Sequence, residues 1–509
     1  MATASGSPAR IRLKSTPGRW VVVAVVLGSG AAFLETTVVT VAVPSIARDF
    51  DLGIAGVQWI FNGFLLSLSA LILFAGALGD VLGRRRIFAL GLTSFAVTSL
   101  LCALAPNYEL LVAARVLQGV SGALLIPTSL AIVDTVFVEE DRGQAIGLWA
   151  GWSGITSALG PFVGGWLVDN VSWRWVFIAV IPLVLVAVPI VLRHMPDVRE
   201  RDAGQRRLDV VGAALIGLAL AGLVYGLVQG PEAGFDSPAT LTGLIGGAVL
   251  AVAFVIHERR TADPLLPLDM FSSGQFTGAN VTTLFIYFAL GGVFMFLTVQ
   301  LQDVLGWTAL AAGAALLPIN LLMLVLSPRA GRLSQRVGPR VPMAIGAVIV
   351  AGGCALLARI GDGSSYPVDI LPAVLVFGLG LSLVVAPLTS AVLFAVREDQ
   401  AGIGSAINNV AARLAGLLAG AALPLAAGLG GLDDLGGETF SDGFSRAMLI
   451  CAALCVLGAI TAWLTVRQGE RIRPHTHPSP VQGCVQCPSD EDEAAAVAEP
   501  VGAAAGRPD

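Results

Sequence analysis

Lysine is nearly absent from this chain: Lys14 stands alone, and the other strongly basic side chains are all arginine. No glycine-rich loop can therefore end in the Gly-Lys-Ser/Thr that holds nucleotide phosphates, so ATP hydrolysis through a P-loop is excluded. Schiff-base chemistry on an embedded lysine is excluded with it. Charge of either sign is scarce. Only 13% of residues are charged and 55% are hydrophobic, against roughly 25% charged in a soluble chain. Mean hydropathy is +0.81, so most of the chain belongs in lipid. Cysteine offers no disulfide framework. Cys102, Cys354, Cys451 and Cys455 lie in apolar runs, where the thiol behaves as a small hydrophobe, and Cys484 and Cys487 lie in a polar tail. No His-Glu-x-x-His pair marks a metalloenzyme. His475 and His477 stand near Cys484 and Cys487 in a Pro-rich segment, a spacing that suits a free polar tail better than a metal site. No enzyme activity, metal or cofactor is expected, and no nucleic-acid partner.

What the chain does have is apolar runs. Fourteen of them, from Trp20 to Val466, approach the ~20 residues that cross a bilayer. The first, 20–44, is too long for a signal-peptide core and is read as a retained span. Arginine clusters at alternate connections, including Arg84–Arg86, Arg142, the 193–207 stretch, Arg259 and Arg260. The positive-inside rule then puts both termini in the cytoplasm. Abundant Ala, Gly and Arg with almost no lysine suggest a bacterial plasma membrane. Residues after Arg473 are Pro-, Ala- and Glu-rich, as in disordered segments.

A ten-residue turn recurs. Gly76, Leu78, Gly83 and Arg85 of the first copy match Gly331, Leu333, Gly338 and Arg340 of the second at identical offsets. A second echo links Pro127-Thr128-Ser129 and Ile146-Gly147 with Pro387-Leu388-Thr389-Ser390 and Ile403-Gly404. Both echoes fall eight spans apart. Two related six-helix halves would put them six apart, so two spans must be inserted between the halves. The expected organisation is a cytoplasmic tail (1–18), an N-terminal six-helix bundle (19–193), two inserted helices with their linker (194–260), a C-terminal six-helix bundle (261–466) and a disordered cytoplasmic tail (467–509). Membrane proteins built from paired repeats are characteristically secondary transporters.

Four segments carry a family resemblance: the basic turn Gly76–Arg86, Leu34-Glu35-Thr36-Thr37 through Pro44 in span 1, Arg115-Val116-Leu117-Gln118-Gly119 in span 4, and Gly160-Pro161-Phe162-Val163-Gly164-Gly165 in span 5. Together with Trp173-Arg174-Trp175, they resemble the major facilitator superfamily, in its fourteen-helix drug:proton antiporter branch of bacterial multidrug and antibiotic efflux proteins. The resemblance implies an all-α membrane fold of two six-helix bundles plus two inserted helices. It also implies that Gly160, Pro161, Gly164 and Gly165 mark an antiporter, and that Asp80 with Arg84 and Arg142 closes the cytoplasmic side. The chain departs from the pattern in three places. Glu35 replaces the usual Asp, Gln335 replaces an acid in the second turn, and Val180 replaces an asparagine.

Ionisable groups inside a bilayer are costly and default to functional candidates. Glu35 lies ~13 Å from the end of span 1 if that span ends at Pro44, and Arg115 lies ~9 Å from the end of span 4 at Glu109. They share a leaflet. Glu35, among Thr36, Thr37 and Thr40, is the expected proton carrier, its proton occupancy tuned by distance from Arg115. A static Glu–Arg pair joining spans 1 and 4 is the bland alternative. Arg413 and Asn320 fall near the midplane, where substrate sites of such folds lie. With Asn62, Asn408 and Asn409 they are candidates for a substrate cavity, although Arg413 could equally bond backbone carbonyls. Asp134 reads as an interfacial or gating group. The glycines of span 5 allow close helix approach, either in sliding or in static packing.

The expected function is proton-coupled export of hydrophobic or amphipathic molecules such as antibiotics, dyes or secondary metabolites, by a monomer whose coupling ion is the proton. One carboxylate and one arginine in the cavity favour neutral, zwitterionic or singly charged substrates over dications. A proton-coupled importer of one solute, or a non-transporting sensor on the same scaffold, is the alternative.

Overall fold

The computed structural model describes residues 11–196, 208–396, 401–430 and 437–467. The linker charges at 197–207 and the tail with His475, His477, Cys484 and Cys487 lie outside the described residues. The chain is built from helices: α1 (Thr16–Phe50), α2 (Ile54–Leu82), α3 (Arg84–Ala103), α4 (Tyr108–Val136), α5 (Glu139–Asn170), α6 (Trp175–Ile178), α7 (Ile181–His194), α8 (Val210–Ala233), α9 (Pro238–Glu258), α10 (Gly274–Val299), α11 (Ala309–Ala315), α12 (Leu317–Val337), α13 (Arg340–Leu357), α14 (Leu371–Phe394), α15 (Ala401–Ala426) and α16 (Gly437–Thr465). Among the described residues, thirteen stretches are long and apolar enough to cross a membrane. The less apolar α5, at 32 residues, is a further helix of spanning length. Side chains cap several starts. Ser15, Asn107, Asp209, Ser237, Ser273 and Thr308 each accept a backbone N–H in the first turn that follows.

The helices form two bundles. In the first, α1 packs on α4, α5 and α7, and α4 packs on α2 and α3. In the second, α10 packs on α15 and α16, and α14 packs on α12 and α13. The recurring turns share a glycine with positive φ at the same offset. Gly83 (φ 100°) separates α2 from α3, and Gly338 (φ 81°) separates α12 from α13. Only glycine takes such a conformation without strain, which is why the repeat preserves it at this offset. The face bearing these turns is called here the basic face.

Helices α8 and α9 stand beside the bundles. They pack on each other through Gly222, Gly243 and Gly247, where an added Cβ at any of the three would lie 2.8–2.9 Å from the other helix's backbone. Small residues let membrane helices approach this closely. Helix α8 also rests on α2 and α15. Ile245, Val249 and Val252 of α9 form one stripe about 60% exposed, as expected for a lipid-facing surface.

The structure moves several expected boundaries. Span 1 does not stop at Pro44: α1 runs 35 residues, six of them past that proline. Proline removes only one hydrogen bond from a helix, and Arg48 Nε donates to the Pro44 carbonyl at 3.3 Å. Two spans are broken, at Ala179–Val180 and at Leu316. In each case the next helix begins with a proline in its first turn, the position where its missing N–H costs nothing. The N-terminal segment is docked rather than free from Ile11 onward. Ile11 N donates to Val136 O at 2.9 Å, and Leu13 N donates to the Asp141 carboxylate at 2.8 Å.

Candidate functional site

A cavity of about 300 Å³ lies where α1, α2, α4, α10, α12 and α15 converge. Phe33, Thr36, Thr37 and Thr40 line it from α1, at the i, i+3, i+4, i+7 spacing of one helix face. Phe61 and Phe64 come from α2, Tyr287 and Phe294 from α10, Asn320 from α12, and Arg413 from α15. The volume is at the small end of sites for drug-sized molecules, and the wall is mostly apolar with few polar groups, as such sites are.

Glu35 is not on that wall. Two residues along from Phe33, it points into the first bundle and is fully buried. Its Oε1 lies 3.2 Å from Arg115 Nη1, and its Oε2 is buried without a hydrogen-bond partner. The three threonines expected to surround it bond their own helix instead. Thr36 donates to Ala32 O at 2.9 Å, Thr37 to Leu34 O at 3.0 Å, and Thr40 to Thr36 O at 3.1 Å. The depth argument that placed Glu35 beside Arg115 rested on the wrong end of α1. Measured from Phe50, Glu35 lies about 22 Å in. The pair still meets, because α1 extends well beyond α4.

Arg115 is the more connected partner. It donates from Nη1 to Gln118 Oε1 at 2.7 Å and from Nε to Ile60 O at 3.2 Å, and its guanidinium sits 4.6 Å from the Phe64 ring centroid. Gln118 Nε2 passes the chain to Ser99 Oγ at 2.8 Å. The Arg-Val-Leu-Gln-Gly segment therefore has a division of labour. Arg115 reaches α1 and α2, Gln118 reaches α3, and Gly119 lets α2 approach, since a Cβ there would overlap Phe64 O and Ser67 Oγ. Gln118 was not among the expected site residues. Its position three residues from Arg115, on the same helix face, was the available signal.

Only two of the expected amide and arginine positions on the second half reach the cavity, Asn320 and Arg413. Asn408 is used in helix packing. Its Nδ2 donates to Thr283 Oγ1 at 2.6 Å and Asn280 Oδ1 at 3.2 Å, joining α15 to α10. Asn409 is half-buried on α15 and off the wall. Asn62 is buried at the α2–α15 seam with neither amide atom bonded; a Cβ on Gly420 would lie 2.5 Å from its Oδ1.

The span 5 motif sits between the halves. A Cβ on Gly160 would overlap Thr37, and one on Gly164 would lie 2.9 Å from Val38 O, both on α1. One on Gly165 would overlap the α11 backbone at Leu310, and Gly313 of α11 meets the Pro161 carbonyl just as closely. Asp169 accepts from Ala309 N at 3.0 Å and Leu310 N at 2.7 Å, completing the start of α11. Gln302 Nε2 donates to Val41 O at 3.0 Å, and Gln58 Nε2 donates to Gly420 O at 3.0 Å. These hydrogen bonds between the halves lie on the side away from the basic face. Toward the basic face, Cβ atoms added at Gly147 and Gly151 of α5 would meet nothing within 4 Å. The halves are held together at the end away from the basic face, and α5 has open space beside Gly147 and Gly151 at the other.

Two members of the expected gate, Asp80 and Arg84, meet within the first bundle. Arg84 Nη2 lies 2.8 Å from Asp80 Oδ1, and Arg84 Nη1 donates to Ala131 O at 2.9 Å, so the basic turn ties α2 and α3 to α4 within the first bundle. Arg142 lies one turn into α5, half-buried.

Two helical bundles around a central cavity, with a buried ion pair behind one wall, define a membrane transporter that alternates its openings. The chain belongs to the Major Facilitator Superfamily, whose profile matches residues 25–421. It is 35% identical over 401 residues to the tetracenomycin C resistance and export protein of Streptomyces glaucescens, covering 79% of this chain and 74% of that one. It is 33% identical over 467 residues to the puromycin resistance protein pur8 of Streptomyces alboniger, covering 88% and 92%. Its fold is also that of a bacterial homolog of the human lysosomal transporter Spinster, solved inward-facing and unoccupied, with a TM-score of 0.63 at 15% identity, covering 89% of this chain and 98% of that one. The chain is a multi-pass membrane protein and a secondary active transporter of small hydrophobic or amphipathic solutes, not an enzyme.

Proposed function

We propose that this transporter is a proton-coupled exporter, taking hydrophobic or amphipathic molecules from the cytoplasm and expelling them across a bacterial plasma membrane as a monomer. The arginine-rich basic face is then cytoplasmic, with both termini on that side, and the cavity opens toward the compartment from which substrate is taken. Residues 19–193 and 261–466 form the two moving halves, and the α8–α9 pair is an insertion between them. The relatives named above are themselves resistance or export proteins, which supports the outward direction.

One observation carries the reading: Glu35 is sealed away from the cavity while its partner Arg115 lines it. With Glu35 ionised, the pair holds Arg115 against α1. A proton on Glu35 cancels that attraction and frees the guanidinium to move in the cavity wall. Proton and substrate then communicate through a single side chain without meeting. Asp80, Arg84 and Arg142 serve the reorientation of the halves, and the Gly160–Gly165 face serves as the surface on which α5 turns against α1 and α11. The test is efflux from inside-out vesicles with an imposed proton gradient. Transport should follow the gradient and collapse with a protonophore. Uptake that persists unchanged after the gradient is dissipated would remove proton coupling.

A further inference from the structure

We propose that Arg413 is an anion-recognition residue, and that the substrates this cavity holds best are aromatic molecules carrying one ionised acidic oxygen group, such as a carboxylate, sulfonate, phenolate or enolate. The proposal rests on the exporter reading for its setting and adds the substrate class.

Two guanidinium groups line the cavity, Arg115 and Arg413, and among the described residues no carboxylate does. The two are not equivalent. Arg115 is already satisfied by Glu35, Gln118 and the Ile60 carbonyl. Arg413 has no hydrogen bond or salt bridge to any described residue, and its Nε is buried without a partner. Its neighbours are neutral: the Phe33 ring at 5.9 Å and the Tyr287 side chain. Arginine stays charged in proteins and carries five donors in a planar fork. A buried charge without a counter-charge is costly. Among the described residues no backbone carbonyl bonds the Arg413 side chain, which faces the cavity with its Nε unpartnered.

The surroundings complete the recognition. Phe33, Phe61, Phe64 and Phe294 line the cavity and suit a flat apolar body. Asn320 lines the same wall, and its Nδ2 is buried without a partner, giving a second neutral donor for an acidic oxygen. A cationic ligand would find two guanidinium groups and no carboxylate, the reverse of what it needs. Bidentate guanidinium–oxyanion pairing supplies both the missing counter-charge and an orientation.

The test uses two fluorescent probes that differ by one group: anilinonaphthalene sulfonate and its uncharged parent, phenylnaphthylamine. Both are titrated into the full-length protein in nanodiscs, with empty nanodiscs subtracted. Wild type should bind the sulfonate about tenfold or more tighter than the parent, the scale of hydrogen bonds to a charged group. Arg413→Gln should remove that preference, bringing the ratio of the two affinities to about one whatever change the two probes share. Arg413→Lys should retain part of it. Equal binding of both probes by wild type, or a preference that survives Arg413→Gln, overturns the proposal. If Arg413→Gln does not fold, competition on wild type decides: benzenesulfonate should displace the sulfonate probe and benzyl alcohol should not, and the opposite result overturns it. Gradient-driven efflux of the neutral parent is measured alongside. Anion preference without any gradient-driven efflux would sink the exporter reading alone, and efflux without anion preference would sink the role of Arg413 alone.

Discussion

Glu35 and Arg115 lie 3.2 Å apart and both are buried, yet only the arginine faces the cavity. A buried pair of this kind contributes little net stability, but breaking it from one side leaves an uncompensated charge at a cost of about 3–5 kcal/mol. On the proposed mechanism the pair is a sensitive switch rather than a static brace, because adding one proton is equivalent to removing one partner.

Replacing Glu35 tests that switch. Glu35→Gln should abolish gradient-driven efflux while the protein stays in the membrane, and Glu35→Asp should keep part of it. Efflux from inside-out vesicles is the measurement. Wild-type rates in Glu35→Gln would mean that the proton travels elsewhere.

The same pair predicts non-additive stability. Arg115→Gln alone strands an ionised Glu35 and should lower thermal stability by about 3–5 kcal/mol. Adding Glu35→Gln should recover a substantial part, because residues in direct contact couple. Simple addition of the two losses in a thermal-shift or denaturant titration would show that the charges are independent.

Asp80 is proposed to act on the cycle rather than the cavity. It holds Arg84, and Arg84 holds the Ala131 carbonyl of α4, and none of the three lines the cavity. Asp80→Asn should slow turnover severely and leave the affinity for substrate nearly unchanged. Normal turnover with weakened binding, measured by efflux rate and equilibrium titration, would contradict this.

Glycine contacts at the closed end should be intolerant. Gly165→Ala sets a Cβ into the α11 backbone, with Ala309 O only 2.6 Å away, and overpacking of that sort costs about 1–3 kcal/mol. The variant should lose most transport, while Gly246→Ala on the lipid side of α9, with open space around it, should transport normally. Equal activity of the two variants would show that the α5–α11 contact is not used.

Asp169 ties the halves at that end through two backbone N–H groups. Removing such a cap costs about 1 kcal/mol, enough to shift a two-state balance roughly fivefold. Spin labels at Asn170 and Ala311 should report a larger separated population in Asp169→Ala. An unchanged distance distribution would assign those bonds no part in closure.

Much of this molecule was fixed before folding. The apolar runs, their number, the arginine bias and the two glycine-centred turns follow from solvent chemistry alone. A bilayer demands that backbone groups be bonded within each segment, so length and hydropathy dictate the helices. Glycine is needed where the backbone turns with φ near 100°, and that mark survives in both repeats. The candidates Glu35, Arg115, Asn320 and Arg413 were legible for the same reason, since polar groups inside lipid are rare.

Which of those groups share a site was decided only by the tertiary structure. Helical rotation puts Thr36, Thr37 and Thr40 on the cavity wall and Glu35 behind it, although they are near neighbours in sequence. Asn62 and Asn408, equally conspicuous as polar residues in apolar runs, are turned toward neighbouring helices. The extension of α1 past Pro44 shifted every depth counted from its end. Hydropathy reads how far along a helix a residue lies, but not its azimuth, which is set by the neighbours the helix packs against. That packing separates the acid from the cavity, leaves Arg413 facing it without a counter-charge, and so sets apart the group proposed to carry the proton from the group proposed to hold the substrate.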